Sequence, residues 1–217
     1  MNKKSFVTNC IITVFVFIGA WLTFFVHDDS SMLITDGIEN LKYYTVLSNI
    51  LAGIVAFISV IQHVQRKSKK QSVRHFLAYA RLVTATAVTV TFLTIGLFLG
   101  PLYGYSKMYR NANFFFHLVV PLLVVIDLLF FEDDREYPFG ATMAAAAVTF
   151  AYGVFYLVNI FINGIGEWPD SNDWYGFLNW GFGVGMIIFA CITLFSWLIS
   201  LLLRVTTKKM HRQKEGK

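Results

Sequence analysis

Six long apolar runs occupy most of this chain and constrain its fold more than any other feature. They cover about residues 6–26, 43–62, 79–100, 112–131, 140–162 and 178–203. Each run is close to the length, about 20 residues, that an α-helix needs to cross the hydrocarbon core of a bilayer. The connections between the runs are too short to fold on their own. The sequence therefore predicts an all-α membrane protein, a single domain over residues 1–217 with six transmembrane helices.

The charge pattern of the chain indicates its orientation in the membrane. Charged residues make up 14% of the chain, against about 25% in soluble domains. The basic clusters fall on one side of a six-span path, at Lys3 and Lys4, in the connection 66–74 and in the segment 204–217. By the positive-inside rule both termini are predicted to be cytoplasmic, with residues 204–217 as a basic cytoplasmic tail. We expect an integral, multi-pass protein of the plasma or inner membrane, with no nucleic acid partner.

Polar side chains interrupt the second apolar run near its start. Thr45, Ser48 and Asn49 are three and four residues apart and share one helix face. Hydroxyl and amide groups are unfavourable in hydrocarbon unless they are paired, so this face is predicted to point at protein rather than at lipid. Such a cluster either holds helices together or lines a site.

The fourth apolar run contains a histidine and a proline at helical spacing. Asn113, His117 and Pro121 are four residues apart and share a face. Pro121 cannot donate a backbone hydrogen bond to the carbonyl of His117, so the helix is predicted to bend there. A bend at His117 opens the wall of the bundle.

Further polar side chains are predicted at the same depth as these residues. An α-helix rises about 1.5 Å per residue, so sequence position gives depth, and Thr45 and His117 both lie about 5–10 Å below the outer surface. The other candidates, as pocket residues or as donors to an oxyanion, are Ser48, Asn49, Asn113, Tyr156, Asn159, Asn163 and Asn179. All of them belong to the outer half of the bundle.

Two ionisable side chains, Arg81 and Asp127, are predicted in the inner half. Asp127 is ten residues below His117, which is too far to orient that imidazole. A structural ion pair between Arg81 and Asp127 is the simpler interpretation, because an unpaired charge is costly inside a membrane. A proton-relay role for Asp127 is the alternative.

A threonine and a histidine at one depth are able to carry out nucleophilic catalysis. A neutral His117 can take the proton of the Thr45 hydroxyl as its oxygen attacks an ester carbonyl, and then return it to the leaving alcohol. The amides of Asn49 and Asn113 are candidate donors to the oxyanion. Ser48, one turn from Thr45, is a rival nucleophile. The same pattern also fits a packing contact with a hydrogen bond and no catalysis.

No metal or cofactor is predicted for this chemistry. A zinc hydrolase needs several histidines at one depth. On the outer side the chain has only His27 and His117, since the other three histidines are placed on the cytoplasmic side.

Four segments of the chain carry a family resemblance. They are Lys42-Tyr43-x-Thr45-x-Leu47-x-Asn49, the helix with His117 and Pro121 that ends in an acidic residue, Tyr137-Pro138, and Gly166-Glu167-Trp168-Pro169. Together they resemble the androgen-induced and androgen-dependent integral membrane family and its bacterial six-span relatives. The resemblance implies a six-span fold in which an intramembrane threonine and histidine hydrolyse fatty acid esters of hydroxy fatty acids. Thr45 and His117 stand at the matching positions.

The residues and the resemblance together predict an intramembrane lipid ester hydrolase. Its partner is a membrane lipid, such as a fatty acyl ester that enters from the outer leaflet. The alternative is a non-enzymatic multi-pass protein, a small-solute carrier or a lipid-binding protein, with the polar outer face as its pocket. A carrier needs a pathway on both sides, and the few polar groups predicted in the inner half argue against it. No feature of the sequence indicates an oligomeric state.

Overall fold

The computed structural model describes residues 1–26, 37–65, 71–132, 137–167 and 171–215. These residues form helices and no strand, which confirms the all-α prediction. Six helices are long and apolar enough to cross a membrane. They are Lys3–Phe25, Tyr44–Val64, His75–Tyr103, Ala112–Phe131, Phe139–Asn163 and Phe182–Met210, here called spans 1 to 6. The chain is therefore an integral, multi-pass membrane protein.

The helix ends follow the apolar runs most closely in spans 2, 4 and 5. Span 4 covers the residues of the predicted run, and the ends of spans 2 and 5 lie within two residues of the predicted ones. Span 6 begins at Phe182 rather than near residue 178, because Gly181, at φ +90°, has a left-handed conformation that separates the helix from the preceding turn. The helix continues to Glu215, so the described part of the predicted tail extends span 6.

Two π-helical turns occur in span 4, at Phe115–Val119 and Asp127–Phe131. In the first turn the N–H of Val120 bonds the carbonyl of Phe115, and Pro121 has no N–H to bond the carbonyl of Phe116. The carbonyl of Phe116 is thereby left without a donor from its own helix. The sequence predicts a bend at this proline, and the structure has a π-helical turn there.

Span 3 is the centre of the bundle. It packs against spans 2, 4, 5 and 6 and is the most buried of the six. Four of its threonine hydroxyls donate to carbonyls of the same helix, as buried threonines commonly do. They are Thr84, Thr86, Thr89 and Thr91. On the peripheral spans, large apolar side chains such as Phe17, Phe161 and Leu202 are exposed, as expected for a surface that faces lipid.

Spans 1, 2 and 4 pack together where spans 2 and 4 begin. We call this the outer end of the bundle, following the charge-based prediction, and the opposite end the inner end. Tyr43, Val46 and Phe116 form a buried cluster at the outer end. Span 1 comes close to this cluster at Gly19, where an added Cβ would lie 2.5 Å from the ring of Phe116. The absence of a side chain at Gly19 therefore makes room for Phe116, the residue before His117.

Candidate active site

Asn49 joins spans 2 and 4 at the outer end. Its side chain is fully buried, and its amide nitrogen donates to the carbonyl oxygens of Thr45, at 2.8 Å, and Phe116, at 2.9 Å. Carbonyl oxygens only accept, so both amide hydrogens are used and the orientation of the amide is assigned from its partners. Asn49 therefore has no hydrogen left for the oxyanion role considered from the sequence, and it acts here as a link between two spans.

His117 lies in the first π-helical turn of span 4 and is 6% exposed. Its Nδ1 is 2.7 Å from the carbonyl oxygen of Met108, a buried residue in the connection between spans 3 and 4. Because the carbonyl only accepts, the neutral imidazole has its proton on Nδ1 and a lone pair on Nε2. The carbonyl of Met108 thus assigns the tautomer that a general base requires.

Thr45 lies in the first turn of span 2 and is half-buried. Its hydroxyl forms no hydrogen bond with any described residue. Leu47 is the first residue of this helix whose N–H bonds a backbone carbonyl, that of Tyr43, at 3.1 Å. The N–H groups of Thr45 and Val46 have no acceptor among the described residues, and they lie at the positive end of a 21-residue helix. These two N–H groups are well placed to stabilise negative charge near the Thr45 side chain.

Thr45 and His117 stand on neighbouring spans at the same end of the bundle. Asn49 connects the carbonyl of Thr45 to that of Phe116, which directly precedes His117. No hydrogen bond joins the Thr45 hydroxyl to the imidazole in the described part of the chain. Hydrogen bonds between catalytic groups are often long in the absence of substrate and shorten when it binds.

The two remaining candidates close to Thr45 and His117 differ in the hydrogen bonds that their side chains form. The hydroxyl of Ser48 donates to the carbonyl of Thr45 at 3.0 Å and lies 3.5 Å from the hydroxyl of Thr91 on span 3. These contacts suit a packing residue between spans 2 and 3 better than a nucleophile. Asn113 is 7% exposed in the first turn of span 4, and its amide forms no hydrogen bond with the described residues. Asn113 therefore stays a candidate oxyanion donor.

The asparagines of span 5 contact the connection to span 6. Asn163 donates to the side chain of Asn159 at 2.9 Å, and Asn159 donates to Asn172 at 3.1 Å. Asn179 is exposed and lies in a turn before span 6, rather than within the span as its position in the apolar run predicts. These three residues hold or belong to the connection, and none of them hydrogen-bonds a described residue of spans 2 or 4.

Asp173 organises this connection, although no pattern in the sequence singles it out. Its side chain is 5% exposed and accepts from the N–H groups of Phe177 and Leu178, each at 2.9 Å. Tyr156 of span 5 also donates to it. Both carboxylate oxygens therefore have donors, which is what a buried carboxylate requires. The turn-forming residues around Asp173 are the local signal for such an arrangement.

The same connection covers the start of span 2. The hydroxyl of Tyr175 accepts a hydrogen bond from the N–H of Tyr44, the residue before Thr45, at 2.9 Å. Tyr152 of span 5 donates to the carbonyl of Lys42 at 2.6 Å. Burial raises the pKa of Tyr175 well above its usual range, so its hydroxyl keeps its proton. These contacts fix the first turn of the helix that carries Thr45.

The ionisable side chains at the inner end differ from the predicted pair. Arg81 forms an ion pair with Glu132, which also accepts from the hydroxyl of Tyr137. Asp127, the partner expected for Arg81, accepts from Asn9 of span 1 at 2.7 Å. The prediction was based on the similar depth of Arg81 and Asp127, but in the second π-helical turn the N–H of Glu132 bonds the carbonyl of Asp127 at 2.9 Å. Residues five apart then share a face, and Glu132 joins the cluster.

The helices and the outer end define the class of this protein. It is a six-span, all-α integral membrane protein with a buried histidine and a half-buried threonine at one end of the bundle. In comparisons with protein-family models, curated proteins and solved structures, no match to the chain was found.

Proposed function

We propose that this protein is an intramembrane lipid ester hydrolase with Thr45 as the nucleophile and His117 as the general base. The observation that carries the proposal is the 2.7 Å hydrogen bond between Nδ1 of His117 and the carbonyl of Met108, because it leaves Nε2 as a proton acceptor. Thr45 supports it, since its hydroxyl is engaged by no described residue. The resemblance to six-span threonine hydrolases supports the same pair of residues.

The proposed reaction uses one base in two successive steps. Nε2 of His117 takes the proton of the Thr45 hydroxyl as Oγ1 attacks the ester carbonyl carbon and a tetrahedral oxyanion forms. The oxyanion collapses, the bond to the alcohol oxygen breaks, and His117 gives its proton to that oxygen. A water molecule then attacks the acyl-threonine ester, with His117 again as the base, which releases the carboxylic acid and restores Thr45.

The oxyanion has candidate donors close to Thr45. The N–H groups of Thr45 and Val46, in the first turn of span 2, have no acceptor among the described residues. The amide of Asn113 lies one turn before His117. A donor in such a position commonly contributes about 10²–10³-fold to kcat. Asn113→Ala is therefore expected to lower kcat by up to that factor, because it removes the side-chain donor and leaves the two backbone donors.

The proposed substrate is a lipid ester whose acyl chain enters from the bilayer. Phe114 of span 4 is 42% exposed and lies three residues before His117, so apolar surface lies beside the turn that carries the proposed base. A hydrocarbon chain resting on Phe114 stays in apolar surroundings while its ester group reaches the outer end of the bundle. The resemblance points to fatty acid esters of hydroxy fatty acids, and the proposed steps use no metal or cofactor.

Ester hydrolysis by the purified protein in detergent tests this proposal. With a fatty acid ester of a hydroxy fatty acid, we expect Thr45→Ala and His117→Ala to lower kcat by about 10²–10⁴-fold. Ser48→Ala, which removes a hydroxyl from the same helix face, is the matched control and is expected to keep most of the activity. Equal hydrolysis by the parent and by a folded Thr45→Ala protein would overturn the assignment of the nucleophile.

A small-solute carrier or lipid-binding protein is the second candidate. The observation that favours a carrier is a cavity at the inner end lined by Arg81, Asp127 and Glu132, which makes the inner half more polar than the sequence predicts. A carrier needs a pathway from both ends. Solute uptake into proteoliposomes separates the two functions. A carrier gives uptake that persists in Thr45→Ala, whereas the proposed hydrolase gives ester turnover without uptake.

A further inference from the structure

A small cavity lies between spans 1, 2, 3 and 4 at the inner end, opposite the end that carries Thr45. Its volume of about 20 Å³ is enough for about one water molecule. Apolar side chains of spans 1, 2 and 4 form part of its lining. The polar side chains in its lining are Asn9, Arg81, Thr84, Asp127 and Glu132.

The charge of one carboxylate in this cavity is already balanced. Glu132 is 4% exposed and forms an ion pair with Arg81 through one carboxylate oxygen. Its other oxygen accepts from the hydroxyl of Tyr137. Both oxygens of Glu132 therefore have donors, and the charges of Arg81 and Glu132 cancel.

Asp127 has no cation of its own, because Arg81, whose guanidinium also attracts it, already forms the ion pair with Glu132. Asp127 is 6% exposed, and its Oδ2 accepts from the neutral amide of Asn9 at 2.7 Å. The Ser5 hydroxyl is a second neutral group that stabilises the carboxylate, and the buried Oδ1 forms no hydrogen bond of normal geometry with a described residue. An ionised Asp127 would add one negative charge to a balanced pair, with a bare carboxylate oxygen, inside the span. Such a charge is costly in a membrane unless a proton or a cation compensates it.

The surroundings of Asp127 favour a proton over a metal cation. Among the residues that line the cavity, those of spans 1 and 2 carry no charge, and the charged groups are Arg81 on span 3 and Glu132 after span 4. The guanidinium of Arg81 lines the same small space and would repel a metal cation. A proton on Oδ1 needs only one acceptor, which a single water molecule in the cavity supplies.

We propose that this cavity is a proton-binding site, in which Asp127 is a neutral carboxylic acid that donates from Oδ1 to a water molecule. The proton comes from bulk water, and its release leaves the carboxylate with no other bond changed. The site is independent of the proposed hydrolase site.

Infrared spectroscopy of the full-length protein in nanodiscs tests this proposal. At neutral pH the parent is expected to show the carbonyl stretch of a protonated carboxylic acid, shifted in D2O and shifted again when aspartate carries ¹³C in its side-chain carboxyl group. Asp127→Asn is expected to remove the band. Asp173→Asn is the matched control and is expected to keep it, because Asp173 is also buried but has donors on both oxygens.

Four results would overturn the proposal. They are a parent without the acid band, a band unshifted by ¹³C-aspartate, a band that persists in Asp127→Asn, and a band that disappears when sodium chloride replaces choline chloride at constant pH. The second result would place the proton on a glutamate such as Glu132, and the fourth would assign the cavity to a metal cation. The isotope measurements use only the parent, so a band unshifted by ¹³C-aspartate overturns the proposal even if Asp127→Asn does not fold.

Discussion

The side-chain amide of Asn49 donates a 2.9 Å hydrogen bond to the main-chain carbonyl of Phe116. Pro121 leaves this carbonyl without a donor in its own helix, because a π-helical turn would require the missing N–H of residue 121. A polar residue of span 2 thus satisfies a backbone group of span 4 that could not remain bare in a membrane. This bond fixes the start of span 2 against the turn that carries His117.

Replacement of Asn49 is expected to destabilise the bundle. Asn49→Ala removes both donors and leaves the buried carbonyl of Phe116 unsatisfied, so we expect a loss of about 1–2 kcal/mol in the free energy of unfolding. Unfolding in mixed detergent, followed by circular dichroism, measures this loss. Asn163→Ala, at an exposed amide of the outer end, is the control and is expected to leave the transition unchanged. Equal effects of the two substitutions would contradict the role of Asn49.

A double-mutant cycle is expected to couple Asn49 to Pro121. In Pro121→Ala the restored N–H can bond a carbonyl of the preceding turn, so the carbonyl of Phe116 no longer depends on Asn49. We therefore expect Asn49→Ala to cost less stability in the Pro121→Ala background than in the parent, with a coupling energy of about 1 kcal/mol. An identical cost in both backgrounds would show that the proline and the amide act separately.

The close approach of span 1 to Phe116 predicts a strong effect at Gly19. A Cβ at this position would lie 2.5 Å from the ring of Phe116, so Gly19→Ala must displace the ring or the helix and is expected to cost about 1–3 kcal/mol. Because Phe116 precedes His117, ester hydrolysis is expected to fall as well. Gly183→Ala is the control, since nothing lies within 4 Å of its Cβ position. Thermal unfolding that is the same for both variants would contradict this contact.

The ion pair at the inner end predicts a ranking of three substitutions. Arg81→Gln leaves Glu132 as a buried carboxylate without its cation, so a loss of about 3–5 kcal/mol is expected. Glu132→Gln is expected to cost less, because the guanidinium retains a neutral acceptor. Tyr137→Phe removes the hydrogen bond from its hydroxyl to Glu132 and is expected to cost about 1 kcal/mol. Unfolding of the three variants in detergent at one pH gives the ranking. An Arg81→Gln protein with the same free energy of unfolding as the parent would contradict the ion pair.

The sequence predicts the helices of this protein well because hydropathy and length determine where a chain can cross a bilayer. Span 4 has the predicted bounds. Span direction also suffices to expect Thr45, Asn49 and His117 at one end of the bundle. These expectations need only helix geometry and the order of the spans.

Other features depend on contacts that no local pattern contains. A proline suggests a bend, but it does not indicate that a π-helical turn will bring Glu132 into line with Asp127 and give Arg81 a different partner. In the sequence Asp173 and Tyr175 have no feature that separates them from other loop residues. Their hydrogen bonds to Tyr156 and Tyr44 form only when the connection packs onto spans 5 and 2. Turn-forming residues predict a connection at this position, but they do not predict which helices it packs against.

Mapping of a covalent adduct is the most direct test of Thr45 as the nucleophile. The purified protein would be treated with a lipid-like fluorophosphonate, and the labelled residue identified by mass spectrometry of its peptides. We expect a single adduct on Thr45, lost in Thr45→Ala and His117→Ala and retained in Ser48→Ala at matched folding. An adduct on Ser48, or a Thr45→Ala protein labelled as fully as the parent, would contradict it.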